Sequence, residues 1–151
     1  MKIRKAVLKD AEKIHKLINY YAEKKLLLPR SLILIYENLR DFWVVESEDK
    51  IAGCVALHIS WKNLAEVKSL VVEEKYRGKG FGKKLVKKAI EEGKSLGVKK
   101  IFTLTFVPEF FEKLGFKRIS KSHLPHKVWN ECVNCPFFPD CKEVALIYHL
   151  K

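Results

Sequence analysis

The chain has 151 residues, which is enough for one domain with a substantial hydrophobic core. A hydrophobic fraction of 48% and a charged fraction of 32% exclude a disordered chain, and no apolar run reaches the roughly 18 residues of a membrane span. Thirty Lys and Arg against 18 Asp and Glu give a net charge of +12, which favours anionic partners. The polar N-terminus is unlike a signal peptide, so we expect a cytoplasmic protein. The lack of Gln, with many Lys and Glu, leans towards a thermophilic source.

Hydrophobic periodicity along the chain predicts alternating strands and helices. Residues 2–7 alternate as a first strand, and Asp10 is placed to cap a helix that runs to about Lys24. Ser31 is placed to cap a second helix, LILIYENL. The elements that follow are strands at 42–47, 50–60 and 63–72, a helix at 80–96, a strand at 99–106, a short helix at 108–115, and late strands in FKRIS and VALIYHL. An antiparallel meander followed by a strand–helix–strand crossover predicts one α/β (α+β) domain over residues 1–151, with a mixed, mostly antiparallel central sheet flanked by helices.

One strand-to-helix connection is rich in glycine and positive charge. In YRGKGFGKKLV, residues 76–86, three glycines occupy alternate positions among Arg and Lys. Glycine permits positive φ and close approach of a ligand to the backbone, and the first-turn amides of a helix have no partners within the helix. This pattern favours a phosphate-binding loop, although a tight connection without a ligand has the same outline. The spacing matches neither the P-loop nor the dinucleotide fingerprint, so it leaves the phosphate ligand open.

Several segments resemble one known family. LVVEEKYRGKGFGKKLV resembles the acyl-CoA pyrophosphate loop of the GCN5-related N-acetyltransferases (GNAT), Arg/Gln-x-x-Gly-x-Gly/Ala, in which Arg77, Gly80 and Gly82 take the defined positions. FFEKLGF, residues 110–116, resembles the later aromatic motif of that family. LPRS, AEVKSLVV and LPHKVW together resemble short, stand-alone bacterial N-acetylglutamate synthases. The resemblance covers nearly the whole chain and implies a sheet splayed between strands 4 and 5, with acetyl-CoA as co-substrate.

The same resemblance implies which residues contact acetyl-CoA. In such enzymes the pantetheine arm bonds to strand backbone as if it were a further strand. The Val72 amide is implied as the donor that stabilises the oxyanion, and Phe111 as a neighbour of the cofactor. The implied contacts are Leu70, Val71 and Val72 on strand 4, Arg77, Gly78, Lys79, Gly80, Phe81, Gly82 and Lys83 in the loop, and Phe111.

The reaction requires a free amine and a leaving thiolate. Glu66 matches the Glu that begins the corresponding strand motif of the synthases, and is implied as the proton acceptor, directly or through a water. An ordinary surface Glu on an alternating strand is the alternative. Many family members have a Tyr where this chain has Phe111, which cannot donate a proton. The thiolate is therefore expected to leave unassisted or through water, with Tyr36 and Tyr76 as unplaced alternatives for the proton donor.

A dicarboxylate acceptor requires cations, and Arg pairs with carboxylate through two hydrogen bonds. Arg30 of LPRS matches a substrate-binding Arg of the synthases, Ser31 adds a hydroxyl, and Lys127 of LPHKVW is a further candidate. The alternative for Arg30 and Lys127 is an ordinary basic surface residue, and for Ser31 it is helix capping alone. The expected reaction is direct acetyl transfer, in a ternary complex, to the α-amino group of an amino acid. L-glutamate is the first candidate for this acceptor, and its acetylation would be the first step of arginine biosynthesis.

The cysteines form a pattern that the expected reaction does not use. Cys132, Cys135 and Cys141 make C-x2-C-x5-C, which fits zinc with one His, a disulfide or free thiols, and the sequence leaves these open. No metal site is therefore assigned. Cys54 stands alone in an apolar strand and is predicted to belong to the core.

Other functions stay open at this point. Within the same class, the acceptor is alternatively glutamine, a polyamine or a protein N-terminus. A non-catalytic acyl-CoA sensor and, because of the +12 charge, a nucleic-acid binder belong to other classes. A nucleic-acid binder would need an aromatic-and-basic motif, which the sequence lacks. We therefore expect an amino acid as partner, and neither nucleic acid nor membrane; a homodimer is left open.

Overall fold

The computed structural model describes residues 1–124 and 143–150, and their strands form one seven-stranded sheet. The strands are β1 (Lys2–Lys5), β2 (Phe42–Ser47), β3 (Lys50–Trp61), β4 (Leu64–Val72), β5 (Lys100–Thr105), β6 (Lys117–Ile119) and β7 (Val144–His149). The helices are α1 (Ala11–Glu23), α2 (Leu32–Glu37), α3 (Phe81–Ser95) and α4 (Pro108–Glu112). The strands follow the order β1-β2-β3-β4-β5-β7-β6, and among those described only β4 and β5 pair in parallel. The predicted mixed, mostly antiparallel α/β sheet is confirmed.

The face of the sheet covered by α3 and α4 is called the α3 face. Its core joins Leu85, Val86 and Ala89 of α3 to Phe111 of α4 and to alternate residues of the strands. The three α3 side chains are fully buried, as their helical spacing predicts. The helix ends before Gly97, whose φ of +86° suits the end of a helix.

The opposite face, covered by α1 and α2, is called the α1 face. Ile14 and Tyr21 of α1 pack with Ile35 of α2 against β2, β3 and β4. Cys54 is fully buried in this core, which confirms its predicted place, and burial raises the pKa of its thiol. A smaller cluster around Phe102 adds Leu124 and residues of the later strands.

One predicted helix cap is wrong. Within residues 1–124 the Asp10 carboxylate accepts from Val7 N at 2.8 Å and from both terminal nitrogens of Arg4, and from no first-turn amide of α1. Asp10 is almost fully buried, and a buried carboxylate gains more from a bidentate Arg than from a cap. Ser31 does cap α2, because its Oγ accepts from Leu34 N at 3.2 Å.

The remaining element bounds differ from the predicted ones by a few residues. The first strand ends at Lys5 rather than at residue 7, and α4 ends at Glu112, three residues before the predicted end at 115. No helix in the described ranges, including α3 with its 15 residues, is both long and apolar enough to cross a membrane.

Candidate active site

β4 and β5 lie side by side at one end of the sheet and separate towards the other. Residues 64–66 of β4 pair with residues 100–102 of β5, and after that no described strand pairs with β4 on this edge. At the point of separation Thr103 Oγ1 donates to Val67 O at 2.8 Å, so a side chain replaces the next ladder bond. The opening beyond this bond is called the cleft. The expected splay between strands 4 and 5 is confirmed.

A bulge lies in β4 beside the cleft. Between the Ala56–Lys68 pair and the Cys54–Val71 pair, β3 has one residue and β4 has two. The first of these two, Ser69, has a φ of +55°, a conformation that bulges usually give to glycine. The extra residue shifts the alternation of the strand by one position.

This shift turns the side chains of β4 from one face of the sheet to the other. Before the bulge, Lys68 lines a pocket together with Ile35 of the α1 face, and Glu66 shares that side of the strand. After the bulge, Leu70 and Val72 pack against the α3-face core. The polar Glu66 and Lys68 thus lie on the α1 side, whereas Leu70 and Val72 lie on the α3 side.

The backbone of Val72 faces the cleft. Glu73 N donates to Ala52 O of β3 at 2.8 Å. Because backbone groups of successive residues point to opposite edges of a strand, the N–H and C=O of Val72 point away from β3. Arg77 Nε donates to Val72 O at 3.0 Å on that edge. The Val72 N–H therefore has the direction that the predicted oxyanion donor needs, while its role stays a prediction.

The glycine loop before α3 is open on its outer side. Gly78 and Gly80 have φ of +81° and +82°, and at both positions a Cβ would meet no heavy atom of the described residues within 4 Å, its chain neighbours aside. At Gly82 a Cβ would lie 3.3 Å from Phe110 Cζ and 3.8 Å from Val72 Cγ2. The first two glycines leave room for a ligand, whereas Gly82 allows close packing. The open space before the first turn of α3 fits a pyrophosphate group.

Tyr76 anchors this loop to the core. Its ring is buried and stacks with that of Phe81 at a centroid distance of 6.2 Å, and its hydroxyl donates to Glu48 Oε2 at 3.0 Å. Burial, and then the Glu48 carboxylate, raise the pKa of Tyr76. Tyr76 therefore retains its proton and directs it to Glu48, which argues against a role in protonating the thiolate. Tyr36, the other candidate, is exposed on α2.

The predicted cationic residues of the loop are exposed at its mouth. Arg77, Lys79 and Lys83 all reach solvent. The Arg77 guanidinium lies 5.0 Å from the ring centre of Tyr21, and Lys79 Nζ lies 5.7 Å from that of Tyr76. Aromatic faces thus hold two positive charges where an anionic ligand would arrive.

Phe111 lies in the core rather than at the loop. It is 2% exposed and packs edge-on against Phe110 and Phe116, with ring centres 5.1 and 5.3 Å away. The half-buried Phe110 is the aromatic residue next to Gly82, as its contact distance shows. The implied contact of Phe111 with the cofactor stays a prediction.

A pocket on the α1 face lies next to the bulge. It has a volume of about 150 Å³ and is called the α1-face pocket. Its lining residues are Arg30, Leu34, Ile35, Asn38, Phe42, Ala56, His58 and Lys68. The small side chain of Ala56 leaves the space, and the polar members supply two cations, an imidazole and an amide. These groups suit a small ligand that carries carboxylate.

Arg30 is held in this pocket through its backbone. Asn19 Nδ2 donates to Arg30 O at 2.8 Å, and Arg30 N donates to Asn19 Oδ1 at 3.2 Å. The side chain reaches the bulge, where Arg30 Nε lies 3.5 Å from Ser69 Oγ. The structure therefore brings Arg30 to β4, while the Ser31 hydroxyl is occupied as the cap of α2.

Glu66 lies near this pocket and is 6% exposed. Its Oε1 lies 3.9 Å from Lys68 Nζ, and its partner in the neighbouring strand is His58. His58 Nδ1 in turn lies 2.6 Å from Asp41 Oδ2. The family resemblance points to Glu66, whereas His58, Asp41 and Lys68 were missed. The β3–β4 register brings His58 and Lys68 to Glu66, and the turn before β2 brings Asp41 to His58.

Some predicted residues lie outside the described part of the chain. These are Lys127, Cys132, Cys135 and Cys141. Within residues 1–124 and 143–150, no group of three or more His, Cys, Asp or Glu side chains is placed to hold a metal ion.

Comparison with known proteins decides the family. The model of the Acetyltransferase (GNAT) family matches residues 8–116. The uncharacterized N-acetyltransferase CT2212 of Chlorobaculum tepidum is 39% identical over 145 residues, which are 96% of this chain and 94% of that protein. The chain belongs to the GNAT acetyltransferase family.

This GNAT acetyltransferase also resembles proteins with more specific names. The amino-acid acetyltransferase of Mycobacterium tuberculosis is 34% identical over 132 residues, which are 85% of this chain and 75% of that protein. The crystal structure of Rv2747 from Mycobacterium tuberculosis, in complex with CoA, matches with a TM-score of 0.84 at 29% identity over 100% of both chains. The predicted enzyme class and acetyl-CoA as co-substrate are thereby confirmed for this GNAT protein.

Proposed function

We propose that this acetyltransferase moves the acetyl group of acetyl-CoA to the α-amino group of a free amino acid, with L-glutamate as the acceptor. The observation that carries the proposal is Arg30 in the α1-face pocket, on the side of β4 that also bears Glu66. The similarity to the amino-acid acetyltransferase of Mycobacterium tuberculosis supports an amino acid as the acceptor class. Acetylation of glutamate would place the enzyme in arginine biosynthesis.

The cleft and the glycine loop make up the acetyl-CoA site. Backbone groups of β4 along the cleft receive the pantetheine arm, and the amides around Gly78 and Gly80 receive the pyrophosphate. The bound thioester supplies an activated acetyl group. The Val72 N–H then stabilises the negative charge on the thioester oxygen, and one such donor is worth roughly 3–4 kcal/mol.

The α1-face pocket holds the acceptor next to the cleft. Arg30 binds a carboxylate of the amino acid, and Glu66 takes a proton from its amine. The amine nitrogen bonds to the carbonyl carbon of the thioester, and the C–S bond breaks with its electron pair on sulfur. Because Tyr76 is engaged with Glu48 and Phe111 is buried, water protonates the thiolate.

The charge and size of the pocket favour glutamate over the other acceptors. Arg30 and Lys68 repel a polyamine, and a volume of about 150 Å³ suits a free amino acid better than a protein N-terminus. Glutamine retains one carboxylate and is therefore the closest competitor. Arg30 binds one carboxylate of glutamate, and Lys68 adds positive charge to the lining of the pocket.

A panel of acceptors tests the class and the specificity together. Thiol release from acetyl-CoA is measured with glutamate, glutamine, other amino acids and a polyamine. We expect the highest kcat/KM with glutamate. Saturable acetyl-CoA binding without thiol release for any acceptor would identify a sensor instead of an enzyme.

Replacement of Arg30 tests the carboxylate contact. A charge-assisted pair is worth about 2–3 kcal/mol, so Arg30→Ala should lower kcat/KM for glutamate by roughly 30–150-fold, mainly through KM. Arg30→Lys should recover only part of the loss, because the single ammonium group of Lys does not replace the two parallel hydrogen bonds of a planar guanidinium. Arg118→Ala, which removes an exposed Arg paired with Glu112, is the control. Unchanged glutamate kinetics in Arg30→Ala would disprove the contact.

A further inference from the structure

His58 lies in the α1-face pocket at the residue pair that also contains Glu66. The two residues are direct partners in the antiparallel β3–β4 ladder, so their side chains extend from the same face of the sheet. His58 lines the pocket together with Arg30 and Lys68. Its side chain is 31% exposed, so the imidazole contacts both the pocket and solvent.

Asp41 fixes the orientation of this imidazole. His58 Nδ1 lies 2.6 Å from Asp41 Oδ2, and Asp41 stands in the turn that leads into β2. Within the described residues, Nε2 of His58 has no hydrogen-bond partner, so it is the ring nitrogen left for a ligand. A histidine base often has one ring nitrogen hydrogen-bonded to a carboxylate while the other nitrogen accepts the proton. The carboxylate then stabilises the imidazolium that forms.

The chemistry of the proposed reaction calls for two proton acceptors. An amino acid enters as an ammonium ion with three N–H bonds and leaves as an amide with one. Two protons therefore leave the nitrogen, one before it attacks and one as the C–N bond forms. Glu66 accounts for one of them.

We propose that His58, oriented by Asp41, accepts the first proton, from the ammonium group of the acceptor, and that Glu66 accepts the second. This inference rests on the proposed function. The neutral amine then bonds to the carbonyl carbon, and the C–S bond breaks with its electron pair on sulfur. The proton on Glu66 reaches the thiolate through water, and the proton on His58 is released to solvent. The balance is ammonium plus acetyl-CoA to amide, CoA thiol and one proton.

Two anionic and two cationic side chains surround His58. Asp41 stands behind the ring and Glu66 lies opposite on β4, and both stabilise an imidazolium. Lys68 and Arg30 line the pocket and act against it.

The dependence of rate on pH tests the proposal. In His58→Gln only the fraction of acceptor that is already a free amine can react. At pH 7.5, kcat/KM for glutamate should therefore fall about 100-fold, the size of a typical general-base contribution. At about pH 10 most of the deficit should disappear, because solvent has deprotonated the amine. A fluorinated glutamate with a less basic amine should show the same recovery at neutral pH.

Two further variants make the result specific. Asp41→Asn keeps an acceptor for Nδ1 but removes the charge, so it should show a smaller loss with the same pH trend. His149→Gln changes an exposed histidine at the end of β7 and should match the wild type. Acetyl-CoA titration and circular dichroism check that each variant is folded, with His58→Asn as the substitute if His58→Gln unfolds.

The outcomes separate this inference from the proposed function. If the wild type acetylates glutamate but His58→Gln equals it, or loses the same factor at every pH, His58 is not the acceptor of the first proton. If the wild type acetylates no amino acid, the proposed function has failed, and His58 loses its assigned reaction with it.

Discussion

Gly80 shows how a residue without a side chain defines a binding site. Its φ of +82° is unfavourable for any other residue, yet a side chain there would meet no described atom of the protein beyond its chain neighbours. The space next to it is the space in front of the α3 amides. A side chain would therefore strain the backbone and also occupy the position of the pyrophosphate.

Gly80→Val and Gly97→Val form a matched pair that separates these two effects. Gly97 has a φ of +86° and is equally open, but it lies at the opposite end of α3. Both variants should lose about 1–3 kcal/mol of unfolding free energy from backbone strain. Only Gly80→Val should raise the Kd of acetyl-CoA, by at least about tenfold, in calorimetric titration. Equal affinity in the two folded variants would remove the loop from the acetyl-CoA site.

Among the elements, the point where β4 and β5 separate is stabilised by one hydroxyl group, that of Thr103. Thr103 is 2% exposed, and its Oγ1 gives Val67 O the bond that a ladder partner would otherwise supply. A buried carbonyl left without a donor costs about 1–3 kcal/mol. The hydroxyl thus stabilises the strands where their pairing ends.

Thr103→Val tests this contribution, because it keeps the shape and removes the donor. The free energy of unfolding in urea should fall by about 1–3 kcal/mol. Thr103→Ser retains the hydroxyl and loses a methyl group, so its loss should be smaller, near the value of about 0.8 kcal/mol for one buried carbon. A larger loss in the Ser variant than in the Val variant would show that packing, and not the hydrogen bond, is what matters.

The elements also show what the sequence predicts and what it does not. Helical spacing identifies the buried face of α3, because one side of the helix is buried. Short apolar runs identify β2 through β5, because helices cover both faces of the sheet. The bulge at Ser69 carries no such signal, since a serine stands where glycine is usual. The joining of His58 to Glu66 depends on the register of two strands, which pattern alone leaves undetermined. Asp10 stands at the position of a helix cap, as the sequence predicts, but its carboxylate binds Arg4 instead of the first-turn amides.

At the scale of the whole molecule, a charged cluster joins the edge of the sheet to the first helix. Arg4 of β1 donates to Asp10 before α1 and to Glu46 of β2. The hydrogen bonds from Arg4 hold the pKa of Asp10 below its usual value, and they do the same for the pKa of Glu46. The cluster couples folding to pH.

Acid should weaken the fold through this cluster. The folded protein binds fewer protons at Asp10 than the unfolded chain does, so this stabilisation is complete above the ordinary pKa of about 3.9. It is lost as pH falls through the lower pKa of the folded state. Arg4→Met should therefore be much less stable than the wild type at pH 7, and the difference should narrow at about pH 3. Arg118→Met is the control, and a gap for Arg4→Met that stays constant with pH would contradict the account.

The bulge determines which face of the sheet each residue of β4 reaches. Because the shift occurs at Ser69, the side chains of Glu66 and Lys68 reach one face of the sheet and those of Leu70 and Val72 reach the other. Deletion of one residue from the stretch 68–70 would restore regular pairing with β3. The side chains of β4 on one side of the deletion would then point to the wrong face of the sheet. In this strand the number of residues therefore decides which face of the sheet each side chain reaches.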